Sequence, residues 1–138
     1  MTRITVAQLS LSIDDHAANT AAIAQAVRTA PGGIVVLPEL VASGYCFRDT
    51  TESRAAAEPL CGPTYQLLHS LAQETGSTIV AGIAELDGAV YNTALVVDSS
   101  GLRGSYRKGI YGHVRGSTLH PVMRRLRSCK RSTEALVW

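Results

Sequence analysis

Short apolar runs alternate with alanine-rich or amphipathic stretches along the first 108 residues of the chain. Residues 3–9, RITVAQL, are β-branched and apolar enough for a buried strand, and residues 14–30 predict a helix that begins at an aspartate. The same patterns predict a strand at 34–38, a helix at 61–76 and strands at 77–86, 89–98 and 102–108. This order of elements favours an α/β fold, a mixed sheet covered by helices on one face.

The second face of the predicted sheet has no obvious cover. Strands that are rich in Val and Ile on both faces need helices, a second sheet or another chain on each side. Nothing in residues 1–108 is predicted to supply the second layer. We therefore expect an apolar sheet face that lacks its partner.

Composition places the chain among single globular domains. It has 138 residues, of which 46% are hydrophobic and 17% charged, which suits one domain with its own core. No stretch approaches the roughly 20 apolar residues of a membrane span, and the amino-terminal residues MTRITVAQLS lack the features of a signal peptide. We expect a cytoplasmic protein without a membrane partner.

Charge divides the chain into two segments. Residues 1–108 carry seven Lys or Arg and ten Asp or Glu, whereas residues 109–138 carry six basic residues and one acid, Glu134. Clustered basic residues attract phosphates, but this run has neither interleaved aromatic residues nor a recognisable binding fold. A solvated, disordered tail is the expectation, and no nucleic-acid partner is predicted.

The histidines and cysteines do not form a metal-binding pattern. His113 and His120 belong to the basic tail, and Cys46, Cys61 and Cys129 share no metal-like spacing. No metal or other cofactor is expected. The first two cysteines are interpreted as small buried or half-buried hydrophobic residues.

Cys129, in the basic tail, is a candidate nucleophile. Its basic neighbours favour the thiolate electrostatically. The surrounding MRRLRSCKRS, however, is neither a buried strand nor a tight elbow, so it would not hold the sulfur rigidly in a site. We do not expect Cys129 to be catalytic.

Glu39 is the first candidate for chemistry. It follows the predicted strand IVVLP directly, and open α/β sheets place their ligand chemistry beyond the carboxyl ends of strands. Partial burial is expected to raise its pKa and to suit it to act as a base. Alternatively, Glu39 caps a short helix starting near Val41, or points to solvent.

Lys108 is the second candidate, again at the end of a predicted strand. An ammonium group beside a carboxylate can stabilise the oxyanion that forms when a carbonyl or nitrile carbon is attacked. The alternative is an ordinary solvated basic pair with Arg107.

Several segments together resemble a known family. ITVAQLSLSIDD, IVVLPELVASGY, YNTALVVDSSG and SYRK, in this order, resemble the amino-terminal half of the nitrilase superfamily of carbon-nitrogen hydrolases, over residues 3–108. The resemblance implies about half of a four-layer α-β-β-α sandwich. It also implies hydrolysis of non-peptide C–N bonds in small amides or nitriles by a Glu-Lys-Cys mechanism. Glu39 would be the general base, Lys108 would stabilise the tetrahedral intermediate, and a cysteine nucleophile would follow well downstream.

After Lys108 the sequence departs from the family pattern, because residues 109–138 contain no family-like cysteine stretch. Residues 121–131 can be translated back into a nucleotide sequence. If that sequence is read in a frame shifted by two bases, it can encode GDAPPPVVQT, which is similar to the family sequence at this point. We therefore expect a nitrilase-like half-domain at 1–108. The expected tail at 109–138 is basic, non-homologous and out of frame, after loss of one nucleotide near codon 109.

These expectations leave two functional interpretations. The first is a carbon-nitrogen hydrolase of the amidase or nitrilase type, which is catalytically inactive as this truncated chain because the nucleophilic Cys is missing. The second is a non-catalytic α/β fragment that acts as a binding or association module. Under either interpretation, the uncovered sheet face is expected to make the chain unfold easily, self-associate, or both.

Overall fold

A computed structural model of the chain describes residues 1–13 and 15–108. The described strands are β1 (Ile4–Val6), β2 (Gly33–Val36), β3 (Ser77–Asp87), β4 (Ala89–Asp98) and β5 (Gly101–Arg107). The described helices are α1 (His16–Thr29), α2 (Thr50–Ala56) and α3 (Pro63–Thr75). The basic tail, with Cys129, His113 and His120, lies outside the described residues.

The strands form one mixed sheet, as the sequence predicts. Their order in the sheet is β1-β2-β3-β4-β5. β1, β2 and β3 are parallel, because the chain returns through helices before each new strand. β3, β4 and β5 are antiparallel neighbours. Gly88 forms the turn between β3 and β4 at a φ of 72°, a left-handed conformation that favours glycine. As a result, β2, β3 and β5 all run in the same direction.

One face of the sheet is covered by helices. Side chains on α1 and α3 that lie one turn apart meet alternate residues of β3 and β4, as the helical and strand periods require. The fully buried members of this core include Ile23, Val27, Leu68, Leu71, Ile79, Ile83 and Leu95.

Both long helices have ends that their sequences explain. The Asp15 side chain accepts a hydrogen bond of 2.8 Å from the backbone N–H of Ala18 and so caps α1. α3 begins at Pro63, whose fixed φ suits the first helical turn. It ends at Gly76, which is left-handed at a φ of 68°.

The other face of the sheet is apolar and exposed in the described part of the chain. Ile4 and Val6 are 64% and 77% exposed, and their register partners Ile34 and Val36 are only partly buried. Tyr106 on β5 is also exposed. We call this surface the open face. It agrees with the expectation that the second layer is absent from residues 1–108.

Two predictions about local structure are wrong. The first strand was predicted as a buried strand over residues 3–9, but β1 is shorter and exposed, because it lies at the sheet edge with its apolar side on the open face. α2 is not predicted at all, because none of its residues is buried and its sequence therefore carries no apolar stripe. Its start is fixed by Asp49, whose carboxylate accepts from the Glu52 N–H.

In the described ranges, no helix has both the length and the apolar character needed to cross a membrane.

Candidate active site

The segment after β2 is tied to β3 by backbone hydrogen bonds. The N–H of Leu37 donates to the carbonyl of Val80 at 2.8 Å, and the N–H of Gly82 donates to the carbonyl of Pro38 at 3.1 Å. The N–H of Val41 then donates to the carbonyl of Gly82 at 2.9 Å. These bonds on both sides of Glu39 fix its backbone over the middle of β3.

Gly82 allows this close approach. A Cβ atom at this position would lie 2.5 Å from Cα of Glu39 and 2.9 Å from its Cβ, closer than any side chain tolerates. A glycine inside a strand commonly marks a place where another backbone comes near. The glycine in STIVAGIAEL is therefore the sequence signal for the position of Glu39.

Glu39 does not cap a helix. Residues 39–43 form a turn, in which Leu40 has a positive φ of 49° and its carbonyl accepts from the Gly44 N–H at 2.8 Å. The alternative interpretation of Glu39 as a helix cap near Val41 is wrong, because the chain forms a turn there and no helix begins.

The structure brings the two predicted site residues together. Nζ of Lys108 lies 2.8 Å from Oε2 of Glu39. Lys108 directly follows β5 and Glu39 follows β2, and these strands run in the same direction. The backbone N–H of Lys108 also donates to the carbonyl of Asn92 at 2.8 Å, which holds the end of β5 against β4.

Asn92 is a third member of the site that the sequence prediction missed. Its Nδ2 donates to Oε2 of Glu39 at 3.0 Å, so one carboxylate oxygen accepts from both Asn92 and Lys108. One sequence signal could have identified Asn92. It is a polar residue on β4, and the alternate residues Val90 and Ala94 on the same face are apolar. We refer to Glu39, Asn92 and Lys108 as the carboxylate cluster.

The pKa of Glu39 lies below its ordinary value, so the predicted rise is wrong. The hydrogen bond from Lys108 lowers this pKa most, and the hydrogen bond from Asn92 lowers it further, while partial burial opposes both. The side chains of Glu39 and Lys108 are 38% and 59% exposed, so desolvation is too weak to prevail. Glu39 is therefore a carboxylate at neutral pH, able to accept a proton.

Glu39 raises the pKa values of two neighbouring groups, Lys108 and Tyr45. The hydrogen bond and the negative charge of Glu39 raise the pKa of Lys108. Burial raises the pKa of the Tyr45 hydroxyl, and the charge of Glu39 raises it further. Lys108 is thus a stable cation, and Tyr45 is a neutral hydroxyl close to the carboxylate cluster. Sequence reasoning did not identify Tyr45, although it follows the turn glycine of PELVASGY.

The interpretation of Arg107 and Lys108 as one solvated basic pair is also wrong. Consecutive strand residues face opposite sides of a sheet. The Arg107 side chain is only 10% exposed and pairs with Glu85 on the helix-covered side, whereas Lys108 reaches Glu39.

The described cysteines do not match their prediction of burial. Cys46 is a free thiol and is exposed, on a loop with a positive φ of 70°. Cys61 is exposed as well, just before α3. Within residues 1–13 and 15–108, no group of three or more His, Cys, Asp and Glu side chains could hold a metal ion.

A cavity of about 460 Å³ lies away from the carboxylate cluster. It opens between α1, α2 and the start of α3, and its lining includes His16, Glu52, Glu58 and Ile83. Neither Glu39 nor Lys108 lines it. The carboxylate cluster thus does not border this cavity.

Known proteins are similar to this chain in both sequence and fold. The sequence model of carbon-nitrogen hydrolases matches residues 3–125. A nitrilase from Pyrococcus abyssi is 47% identical over 77 residues, which are 54% of this chain and 29% of that protein. An (R)-stereoselective amidase from a Pseudomonas species is 32% identical over 109 residues, or 77% of this chain and 39% of the amidase. The crystal structure of an N-terminal amidase has a TM-score of 0.72 at 22% identity, covering 80% of this chain and 28% of that one.

These matches also show the extent of the likeness. The chain spans about a third of the length of the relatives that it matches. The family match continues past Lys108 to residue 125, into the segment 109–138 that the sequence predicts to be a non-homologous tail.

Proposed function

The chain belongs to the carbon-nitrogen hydrolase family, and from this premise we propose that Glu39 and Lys108 are two of three catalytic groups of an amidase- or nitrilase-type centre. The 2.8 Å contact between their side chains is the observation that carries the proposal. The substrate class of the intact relative is a small molecule with an amide or nitrile group. No cofactor takes part.

Each group has a defined role in this proposal. The Glu39 carboxylate accepts the proton of a cysteine thiol, and the thiolate attacks the amide or nitrile carbon. The Lys108 ammonium stabilises the negative charge that develops on the former carbonyl oxygen or nitrile nitrogen. In amide hydrolysis, protonated Glu39 then returns the proton to the leaving nitrogen. It next activates a water molecule, which cleaves the thioester and releases the acid and the free thiol.

The present chain supplies the base and the cation but, we propose, not the nucleophile. Cys46 and Cys61 stand where the family resemblance places no nucleophile, and Cys129 lies outside the described residues. A base and an oxyanion donor without a thiol leave only a residual rate enhancement. We therefore propose that the 138-residue chain is catalytically inactive.

We also propose that residues 109–138 are read out of frame after loss of one nucleotide. This would account for the difference in charge between the two segments. Residues 109–138 have six basic residues and one acid, whereas residues 1–108 have seven basic residues and ten acids. The test is the nucleotide sequence around codon 109, together with expression of a gene in which the lost nucleotide is restored. The restored protein should release ammonia or an amine from simple amides or nitriles.

Two substitutions in the restored protein separate the roles. Glu39→Gln removes the base and should lower kcat at least about 100-fold. Lys108→Met removes the cation and should lower kcat by about 100- to 1,000-fold. Hydrolysis that survives both substitutions would refute the proposed roles. A second frame closed by stop codons would refute the frame proposal alone.

A second function is favoured by the open face. An apolar surface such as that around Ile4 and Val6 drives association when no layer covers it. On this alternative the chain is a non-catalytic α/β fragment that associates with copies of itself, without nucleic acid as a partner. The cytoplasmic location expected from the amino-terminal sequence stays a prediction.

A further inference from the structure

An ion-pair network centred on the buried Glu85 lies behind the carboxylate cluster, on the helix-covered side of the sheet. The Glu85 side chain is only 3% exposed, and its Oε2 accepts from the Thr93 hydroxyl at 2.6 Å and from Nε of Arg107 at 2.8 Å. Nη2 of Arg107 also donates to Oε1 of Glu85 and lies 2.6 Å from Oδ2 of Asp87. The guanidinium carbon stands 3.9 Å from the centre of the Tyr91 ring.

The network is built from the immediate chain neighbours of the site residues. Thr93 follows Asn92, and Arg107 precedes Lys108. Thr93 and Arg107 are register partners across β4 and β5. Because successive strand residues face opposite sides, this pair reaches Glu85 on one side while Asn92 and Lys108 reach Glu39 on the other.

Arg107 is held much more firmly than Lys108. Its planar guanidinium makes two hydrogen bonds to one carboxylate, a geometry that fixes both position and orientation. Lys108, in contrast, is a flexible side chain that is 59% exposed and directly follows the last residue of β5. A flexible cation at a strand end needs a fixed backbone if it is to stay within hydrogen-bond distance of one carboxylate.

We propose that Arg107 is a positioning residue, which through Glu85 and Thr93 locks the end of β5 so that Lys108 stays against Glu39. The proposal rests on the proposed function in assigning a catalytic purpose to the Lys108–Glu39 contact. Its structural content, the dependence of that contact on Arg107, is testable without any turnover.

The chain offers a simple probe, because Lys108 and Lys130 are its only lysines. Reductive methylation with ¹³C-formaldehyde labels these two amines and the amino terminus, and NMR then follows the titration of each. Lys108→Arg assigns its signal. Lys108 should titrate above the ordinary value of a lysine, and Glu39→Gln should lower its titration towards that value.

Arg107→Gln is the test, and Arg103→Gln is its matched control. Both arginines lie on β5, but Arg103 is exposed and pairs with Asp98 at the surface. Arg107→Gln should lower the Lys108 titration to the pH found in Glu39→Gln, whereas Arg103→Gln should leave it in place. A merely structural role for Arg107 would lower the melting temperature without moving this titration, and that result in a folded variant overturns the proposal.

Thr93→Val covers the case in which Arg107→Gln does not fold. It removes one hydrogen bond to Glu85 and keeps the ion pair, so a smaller shift of the Lys108 titration in the same direction is expected. An unmoved titration in folded Thr93→Val overturns the proposal as well. Failure of the restored enzyme to hydrolyse amides would instead count against the proposed function and would leave the positioning result intact.

Discussion

Lys108 donates a 2.8 Å hydrogen bond to Glu39 across 69 positions of sequence. The contact exists because β2 and β5 run in the same direction on either side of β3 and β4, and because Gly82 lets the Glu39 backbone lie on β3. The topology thus brings a carboxylate and an ammonium group into contact, although two strands lie between the strands that they follow.

Gly82→Ala should displace Glu39 and destabilise the fold. The new Cβ would lie 2.5 Å from Cα of Glu39, and such overpacking typically costs about 1 to 3 kcal/mol. Urea unfolding measures the loss, and the ¹³C titration of Lys108 reports the displacement. Gly88→Asn is the control, since the space around Gly88 is open and asparagine tolerates its positive φ. Unchanged stability and titration in Gly82→Ala would show that Glu39 does not lie on β3 as described.

Asn92→Leu should raise the pKa of Glu39. The hydrogen bond from Asn92 favours the carboxylate, so its loss moves the Glu39 pKa upward, towards its ordinary value. A ¹³C titration of the side-chain carboxyl groups measures the shift. Gln73→Leu, an exposed change on α3, should leave it unaltered. If the Glu39 pKa stays in place in Asn92→Leu, Asn92 does not belong to the carboxylate cluster.

Glu85→Gln should reduce stability at neutral pH and much less in acid. Burial alone would raise the pKa of Glu85, but hydrogen bonds from Arg107 and Thr93 lower it below its ordinary value of 4.5. A lowered carboxylate pKa stabilises the folded state above pH 4.5, and this contribution is lost as the pH falls through the lowered value. Breaking a buried pair at one partner costs about 3 to 5 kcal/mol.

The measurement is the free energy of unfolding of Glu85→Gln and the unaltered chain between pH 7 and pH 3. The two curves should converge at low pH. Glu74→Gln is the control, because the Glu74–Arg28 pair is exposed and such pairs contribute little. Curves that stay parallel down to pH 3 would contradict a charged Glu85 in the folded chain.

Substitutions on the open face should reduce self-association without reducing stability. Val6→Thr combined with Tyr106→Thr makes two exposed positions of this face polar. Sedimentation velocity should show a shift towards the monomer relative to the unaltered chain. Gln25→Thr, on the exposed side of α1, is the matched control. An unaltered chain that is already monomeric, with a sharp cooperative thermal transition, would contradict an association surface here.

The sequence predicted the sheet well for a physical reason. β3 and β4 are long, β3 has a continuous apolar run and β4 alternates, so the pattern alone fixes their type and nearly their ends. α2 could not be predicted in this way, because it buries none of its residues. The exposure of β1 depends on its place at the sheet edge, which is a property of topology that a local pattern does not contain.

The sequence identified two residues of the carboxylate cluster as candidates, but it did not give the direction of the Glu39 pKa. Glu39 and Lys108 could be named because each follows a strand and because their neighbours resemble a family. The direction of the Glu39 pKa could not, because it depends on donors that lie 53 and 69 positions away in the sequence. Asn92 was not identified, because a polar residue on a strand usually faces water and its partner Glu39 is distant in the sequence.

The most direct test of the proposal that the reaction centre is incomplete is the release of ammonia from simple amides and nitriles by the purified 138-residue chain. We expect no turnover above the buffer blank for the chain itself, for Glu39→Gln and for Cys129→Ala. Measurable hydrolysis that disappears in Cys129→Ala would contradict the proposed inactivity, because Cys129 would then be the nucleophile.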